Sequence, residues 1–350
     1  MNIRRRAAHE ISAILISSRR RGTQVRRREL IAGLGSVMIA RPSFVGAQDK
    51  TIRVIGILET ISPELNGANF NAFRRGLRDL GYIEEENIKL DYRSADGQTA
   101  RFLELAAEFV RRKVDVIVTR GTPAARAAKD ATSTIPIVMA AIGEPVGTGI
   151  VANLARPGGN VTGFSAFVTE LAGKRVELMK EVVPGVARVG LFNNMSNPVA
   201  PPQWEETRKA AEALGVEAVL FDVRGREDIL RSFEQTGRNR IDGLLFGIEA
   251  VIQQHGALIS SLAERQRLPA IYASREFVEA GGLMSYGVSY PDLYRRAAGM
   301  VDKVLKGANP GDLPVEQPIK FELVINGKTA RAIDLLVPPI VLARADEILD

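Results

Sequence analysis

From Thr51 onward the apolar residues of the chain fall into two alternating rhythms. Short runs such as Val116-Ile117-Val118 have the unbroken β-branched apolarity of strands covered on both faces. Longer stretches between them repeat apolar residues every three or four positions, as at Phe70, Phe73, Leu77 and Leu80, which is the period of an amphipathic helix. The pattern predicts strands in "TIRVIGIL", "NIKLDYRSA", the run from Val114 to Val118 and "IPIVMAAI". Helices are expected through "NFNAFRRGLRDLGY", over 99–112 and after Thr122. This β-α-β-α-β-α-β order is that of a parallel sheet with helices on both faces. Thr122 fits an N-cap and Pro123 a first helical position, so free backbone N–H groups should face whatever lies above that strand.

The stretch "RPGGNVTG", residues 156–163, is dense in glycine and proline and is expected to be a crossover loop. A second alternating series follows, with helices over 169–183, 203–214, 226–235 and 252–266. Its strands are "ARVGLFNN", "VEAVLFDV", "IDGLLFGI" and "LPAIYA". The tail breaks the rhythm with "GGLMSYGV", a helix over 291–306, the Pro-rich "GANPGDLPVEQP", the strand "IKFELVIN" and a short helix near 327–334. The fold class is therefore α/β, with two Rossmann-like lobes of parallel sheet. Lobe I is expected to comprise 48–164 plus 283–315, and lobe II 165–282 plus 316–350. Three crossings would make the connection a hinge, and a ligand would lie between the strand ends of the two sheets.

Charge changes the picture mainly at the start of the chain. Residues 1–47 hold ten arginines, no lysine and two acids, and removing them leaves 37 basic and 39 acidic residues. The net charge of +6 thus belongs to this segment, and the body has no basic excess for nucleic acid. An Arg-rich start, an apolar stretch from Leu30 to Ala40 and the small-residue pattern Val45-Gly46-Ala47 read as an export leader cleaved before Gln48. Arg27-Arg28-Glu29-Leu30-Ile31 resembles a twin-arginine signal, and residues 1–24 are consistent with an overextended start. A basic tail on a cytosolic protein is the alternative. The chain has no cysteine, which excludes a lipid-anchored lipoprotein, a disulfide framework and a cysteine nucleophile. The periplasm is the expected compartment.

Catalytic chemistry finds little support. The body holds one histidine, His255, beside Gln253 and Gln254, which gives neither a metal cluster nor a histidine base for a serine nucleophile. No GxGxxG or GxxxxGK[ST] loop cradles a phosphate. No metal and no cofactor are expected. Polar residues do gather at strand carboxyl ends: Glu59-Thr60, Gly121-Thr122-Pro123, Gly143-Glu144-Pro145, Asn193-Asn194 with Ser196-Asn197, Glu249, and Ser274 to Glu276. Each alone has a structural explanation, since Thr122, Ser196 and Asn197 suit helix caps and Glu144 before Pro145 suits a turn. Their joint position in both series favours a cleft. Tyr286 and Tyr290, near a proposed crossing, suit either a stacking surface or the hinge core.

Three stretches carry a resemblance: "GTPAARAAKDATSTIPIVMAAIGEPVGTGIVANLARPGGNVTGFS", "PAIYASREFVEAGGLMSYGVSYPDLYRRAAGMVDKVLKG" and "LPVEQPIKFELVINGKTARAIDLLVPP". From about Thr51 to the C-terminus the chain strongly resembles the ABC transporter substrate-binding protein family, whose relatives include tryptophan- and tyrosine-binding lipoproteins. The resemblance implies the type I periplasmic binding protein fold, no enzymatic activity, and a monomer that hands a small solute to an inner-membrane ABC permease. It implies ligand contacts from the Gly121-Thr122-Pro123 turn, from Glu144-Pro145, and from Asn194, Ser196 and Asn197. Glu59, Thr60, Glu249, Ser274 and Tyr286 complete the expected site. Ser289 stands where the family's "YGVDY" has aspartate. Loss of an acid there implies a preference for an uncharged or carboxylate-bearing solute over an α-amino acid, whose ammonium needs a negative partner. The competing functional readings are a periplasmic sensor presenting its ligand to a receptor and, further off, a two-lobed sugar-transferring enzyme.

Overall fold

The computed structural model describes residues 52–166 and 168–350; the leader reading for 1–47 lies outside the described residues. The first series forms β1 (Arg53–Glu59), α1 (Gly67–Asp79), β2 (Ile88–Ser94), α2 (Arg101–Arg112), β3 (Val116–Arg120), α3 (Thr122–Ala131), β4 (Ile137–Ile142) and β5 (Val161–Ser165). The second forms α4 (Glu170–Val182), β6 (Arg188–Asn193), α5 (Ala200–Ala213), β7 (Glu217–Asp222), α6 (Arg226–Arg238) and β8 (Gly243–Phe246). It continues with α7 (Ala250–Gln254), α8 (Gly256–Arg265), β9 (Ala270–Tyr272), α9 (Arg275–Glu279) and β10 (Met284–Val288). The tail adds α10 (Tyr290–Leu305), β11 (Phe321–Asn326), α11 (Gly327–Ala332), α12 (Pro339–Leu342) and β12 (Glu347–Leu349). Among the described residues no helix is long and apolar enough to cross a membrane.

The strands make two sheets, ordered β2-β1-β3-β4-β5 and β12-β11-β10-β9-β8-β6-β7. The first is parallel throughout, and in the second only the β10–β11 pair is antiparallel. Helices cover both faces, as the continuous apolar strands require: β3 and β4 are buried along their whole length. The α10 helix returns to the first sheet, where Leu293, Tyr294, Ala297 and Val301 join Phe70, Phe73 and Val116 in one core. The second lobe has its own core, around Met179, Leu191, Leu245, Ile271 and Ile325.

Two boundaries differ from the sequence reading. Residues 161–163, expected in a loop, belong to β5, because Gly163 at φ +131° lets the strand lie flush against β4. A Cβ there would sit 2.2 Å from the Met139 carbonyl oxygen. The return to the first lobe, expected at about 283, falls after Val288, because Met284–Val288 pairs with β9 and β11 in the second sheet. At the other end of α10, Glu316 bridges to Phe164 before the chain enters β11. The helix expected over 252–266 is broken at His255 into α7 and α8.

Candidate functional site

The carboxyl ends of the two sheets face one another, as the doubly wound topology dictates. Between them lies a cavity whose empty space, counted together with the open solvent at its mouth, is about 460 Å³. From the first lobe it is lined by Thr60, Phe102, Arg120, the Gly121-Thr122-Pro123 turn, Ile142 and Tyr290. The second lobe contributes Asn197, Val199, Ile248, Glu249 and Gln253. The lining is mostly apolar with a few convergent polar groups, which is the character of a small-molecule site.

Each polar group is held by its local structure. Gly121 has φ +83°, a left-handed conformation that turns β3 sharply into α3 and makes Gly121 the cap position. Thr122 is then the first helical residue and does not cap. Its hydroxyl donates instead to the Gly143 carbonyl at 2.9 Å, tying the ends of β3 and β4 together. The amides of Thr122 and Ala124 at this first turn have no intrahelical acceptor, and Thr122 lines the cavity. Across the space, Glu249 is 2% exposed and accepts from Asn194 Nδ2 at 3.3 Å and Asn197 Nδ2 at 2.5 Å. Burial raises its pKa, against the pull of those two amides.

A second polar cluster joins the lobes. Thr60 of the first lobe donates its hydroxyl to Gln253 Oε1 of the second at 2.9 Å. The Gln253 Nε2 group, buried on the cavity wall, has no protein partner. Arg120, at the end of β3 and 1% exposed, donates to both Glu276 oxygens on α9 at 3.0 and 2.9 Å. It also donates to Asn66 Oδ1 at 3.0 Å and lies 4.5 Å over the Tyr290 ring. Asn69 donates to the same Glu276 carboxylate. Behind Arg120, Glu59 is fully buried and accepts the Tyr294 hydroxyl proton. Burial pushes its carboxyl up to about 7, although Arg120 and Tyr294 pull it down. Gly97, at φ +77°, approaches α7 so closely that a Cβ would stand 3.0 Å from Gln254 Cβ.

A family model for ABC transporter substrate binding proteins matches residues 54–349. The chain belongs to the ABC transporter substrate-binding protein family. It is 30% identical over 282 residues to the tyrosine-binding protein of Clostridioides difficile (strain R20291), covering 80% of this chain and 81% of that one. It is similar to a Streptococcus pneumonia ABC domain solved in complex with L-Trp, with TM-score 0.78 and 29% identity. That match covers 85% of this chain and all of the other. A ligand-free, open structure of a Clostridium difficile substrate-binding protein with adhesive properties gives TM-score 0.62 at 26% identity, over 85% of this chain and 99% of that one. The fold is that of type I periplasmic binding proteins, and the family is one of solute-binding proteins rather than enzymes.

In this substrate-binding protein the cavity gathers Thr60, Gly121, Thr122, Pro123, Asn197 and Glu249 from the residues singled out by sequence. Asn194 and Ser196 stand one step outward. They line a more open groove with Gly97, Arg224 and His255, and Asn194 orients Glu249. Glu59 and Ser274 serve the interlobe cluster, Ser274 by donating to Glu276 at 3.2 Å. The other four expected contacts belong to neither the cavity, the groove nor the interlobe cluster. Glu144 at φ +47° shapes a turn in which its carbonyl accepts from Thr148, and Pro145 is buried within that turn. Tyr286 packs in the second lobe with its carbonyl against Arg175 Nε at 2.9 Å. Ser289 is buried at the start of α10, with its backbone N–H bonded to Lys320. Sequence reasoning missed Arg120 and Gln253. An arginine ending an otherwise apolar strand was a signal for the first, whereas Gln253 gave none.

Proposed function

We propose that this protein is the periplasmic solute-binding component of an ABC uptake transporter, closing on an α-amino acid with an apolar side chain and delivering it to the membrane permease. One observation carries the choice of ligand: a mostly apolar interlobe cavity has the unpaired first-turn amides of α3 on the first-lobe wall, and on the second-lobe wall a buried carboxylate together with the unpaired Gln253 Nε2. The amides at the start of α3 and Gln253 Nε2 suit a ligand carboxylate. Glu249 suits the ammonium group, and an ammonium beside it would favour its ionised form against the cost of burial. Phe102, Ile142, Val199, Ile248 and Tyr290 suit an aromatic or branched side chain.

This reading reverses the expectation drawn from Ser289, because Ser289 is not part of the cavity and Glu249 is. The relatives whose ligands are tyrosine and L-Trp support the same class. The better fit to the L-Trp complex than to the open, ligand-free structure, at similar identity and coverage, supports reading this arrangement of the lobes as the closed one. The Arg120–Glu276 and Thr60–Gln253 contacts support it too, since neither survives separation of the lobes. Native mass spectrometry of gently purified protein tests the proposal. A co-purified neutral amino acid is expected, and a bound sugar, nucleotide or dicarboxylate would overturn it.

A further inference from the structure

We propose that Arg120 changes carboxylate partners as the lobes close, so that closure carries a proton onto Glu59. In the closed arrangement one guanidinium lies between two carboxylates, and only one of them belongs to its own lobe. Glu276 on α9, in the second lobe, takes both Nη2 hydrogen bonds. Glu59, at the end of β1 beside β3, stays with Arg120 whatever the hinge does.

The groups facing Glu59 sort by whether they move. Arg120 on β3, Tyr294 on α10, Tyr92 on β2 and the Thr60 N–H at 3.4 Å all belong to the first lobe. Glu276 alone arrives with the second lobe, and it brings a like charge. Closure also withdraws the site from water, leaving Glu59 fully buried. Both changes act against the ionised form of Glu59, since one cation cannot neutralise two buried carboxylates. Opening reverses both: Glu276 leaves, water enters, and Arg120 with an ionised Glu59 forms a neutral pair within the first lobe. The upward push on the Glu59 carboxyl in the closed form, to about 7, agrees with this direction. Arg120 remains a cation throughout. Burial alone would depress its pKa, but Glu276, Tyr294 and Glu59 more than offset that.

By linkage, a proton taken up on closing makes the closed-to-open ratio fall with rising pH, by up to about tenfold per pH unit below about pH 7, and level off above it. The inference rests on the lobes being a closing pair and not on the identity of the solute, so its test omits the solute. The chain has no cysteine. Single cysteines introduced at exposed Arg111 on α2 and Lys209 on α5 therefore carry spin labels cleanly. Inter-label distances in ligand-free protein, measured by electron–electron double resonance from about pH 5.5 to about pH 8.5, report the closed fraction. That fraction is expected to fall from about pH 5.5 towards neutrality in the parent protein and to level off above it. It should stay level near its low-pH value in Glu59→Gln. In Glu276→Gln it should fall less steeply, because burial still acts on Glu59 there, and this variant carries the test if the buried substitution prevents folding. A level profile in the parent protein, a pH dependence retained in Glu59→Gln, or one undiminished in Glu276→Gln overturns the proposal. A solute that proves not to be an amino acid changes none of these outcomes.

Discussion

Two buried polar clusters lie within this cleft, and they are built on opposite plans. Around Arg120 opposite charges meet within the protein: a guanidinium, two carboxylates, two asparagines and two tyrosine rings contact one another across the lobes, leaving Arg120 Nε and Asn69 Oδ1 without partners. Around Glu249 a carboxylate held by the side-chain amides of Asn194 and Asn197 lines a cavity in which Gln253 Nε2 and the first-turn amides of α3 have no protein partners. The first cluster suits holding the lobes together, and the second suits holding something between them. A buried acid with a cation is a clasp; a buried acid with neutral amides and open space beside it is a receptor for a cation.

Substitutions that act on one cluster and spare the other break this comparison or sharpen it. The largest effect is expected at Glu249. Glu249→Gln should cost about 2–5 kcal/mol of binding energy for the co-purified amino acid, or at least about thirtyfold in affinity by calorimetry. An unchanged affinity would remove the receptor role. Next comes Glu59, whose carboxyl binds its proton more tightly in the folded protein than at its ordinary value of 4.5. The sign follows from the extra proton bound when folded: stability is fully present below about pH 4.5 and is lost as pH rises through about 7, by at most about 3 kcal/mol. Denaturant unfolding at several pH values should show this slope in the parent protein and not in Glu59→Gln. Glu276→Ala should weaken solute binding by about 1.5–3 kcal/mol through loss of the clasp, while the melting temperature of the ligand-free protein changes little. Smallest is Thr122→Ala. It leaves the buried Gly143 carbonyl without its donor and should lower stability by about 1 kcal/mol in unfolding experiments, with no comparable loss of affinity.

The two-lobed architecture was legible because parallel strands buried on both faces have to be written as unbroken apolar runs, and β3, β4 and β8 are. β5 was hidden by Gly163, a residue that reads as a loop but serves here to let two backbones touch. The site was half legible. Polar residues at strand ends announce a cleft, so the Gly121 turn, Asn197 and Glu249 could be picked out. Which side chains turn inward depends on neighbours distant in sequence. Glu144 and Ser289 stand at family positions yet end in a turn and at the start of a helix, whereas Arg120 meets Glu276, 156 positions away, only because the chain folds them together. Hence Ser289 alone pointed to a different ligand class from the one now proposed from the position of Glu249.

The most direct test of the account is a calorimetric comparison of L-tryptophan, L-tyrosine and L-leucine with their deaminated analogues, on the parent protein and on Glu249→Gln. The account predicts that at least one amino acid binds the parent protein, that its analogue lacking the ammonium group binds far more weakly, and that Glu249→Gln narrows the gap between the two. Deaminated acids binding the parent protein as tightly as the amino acids, or a gap that Glu249→Gln leaves intact, would contradict it.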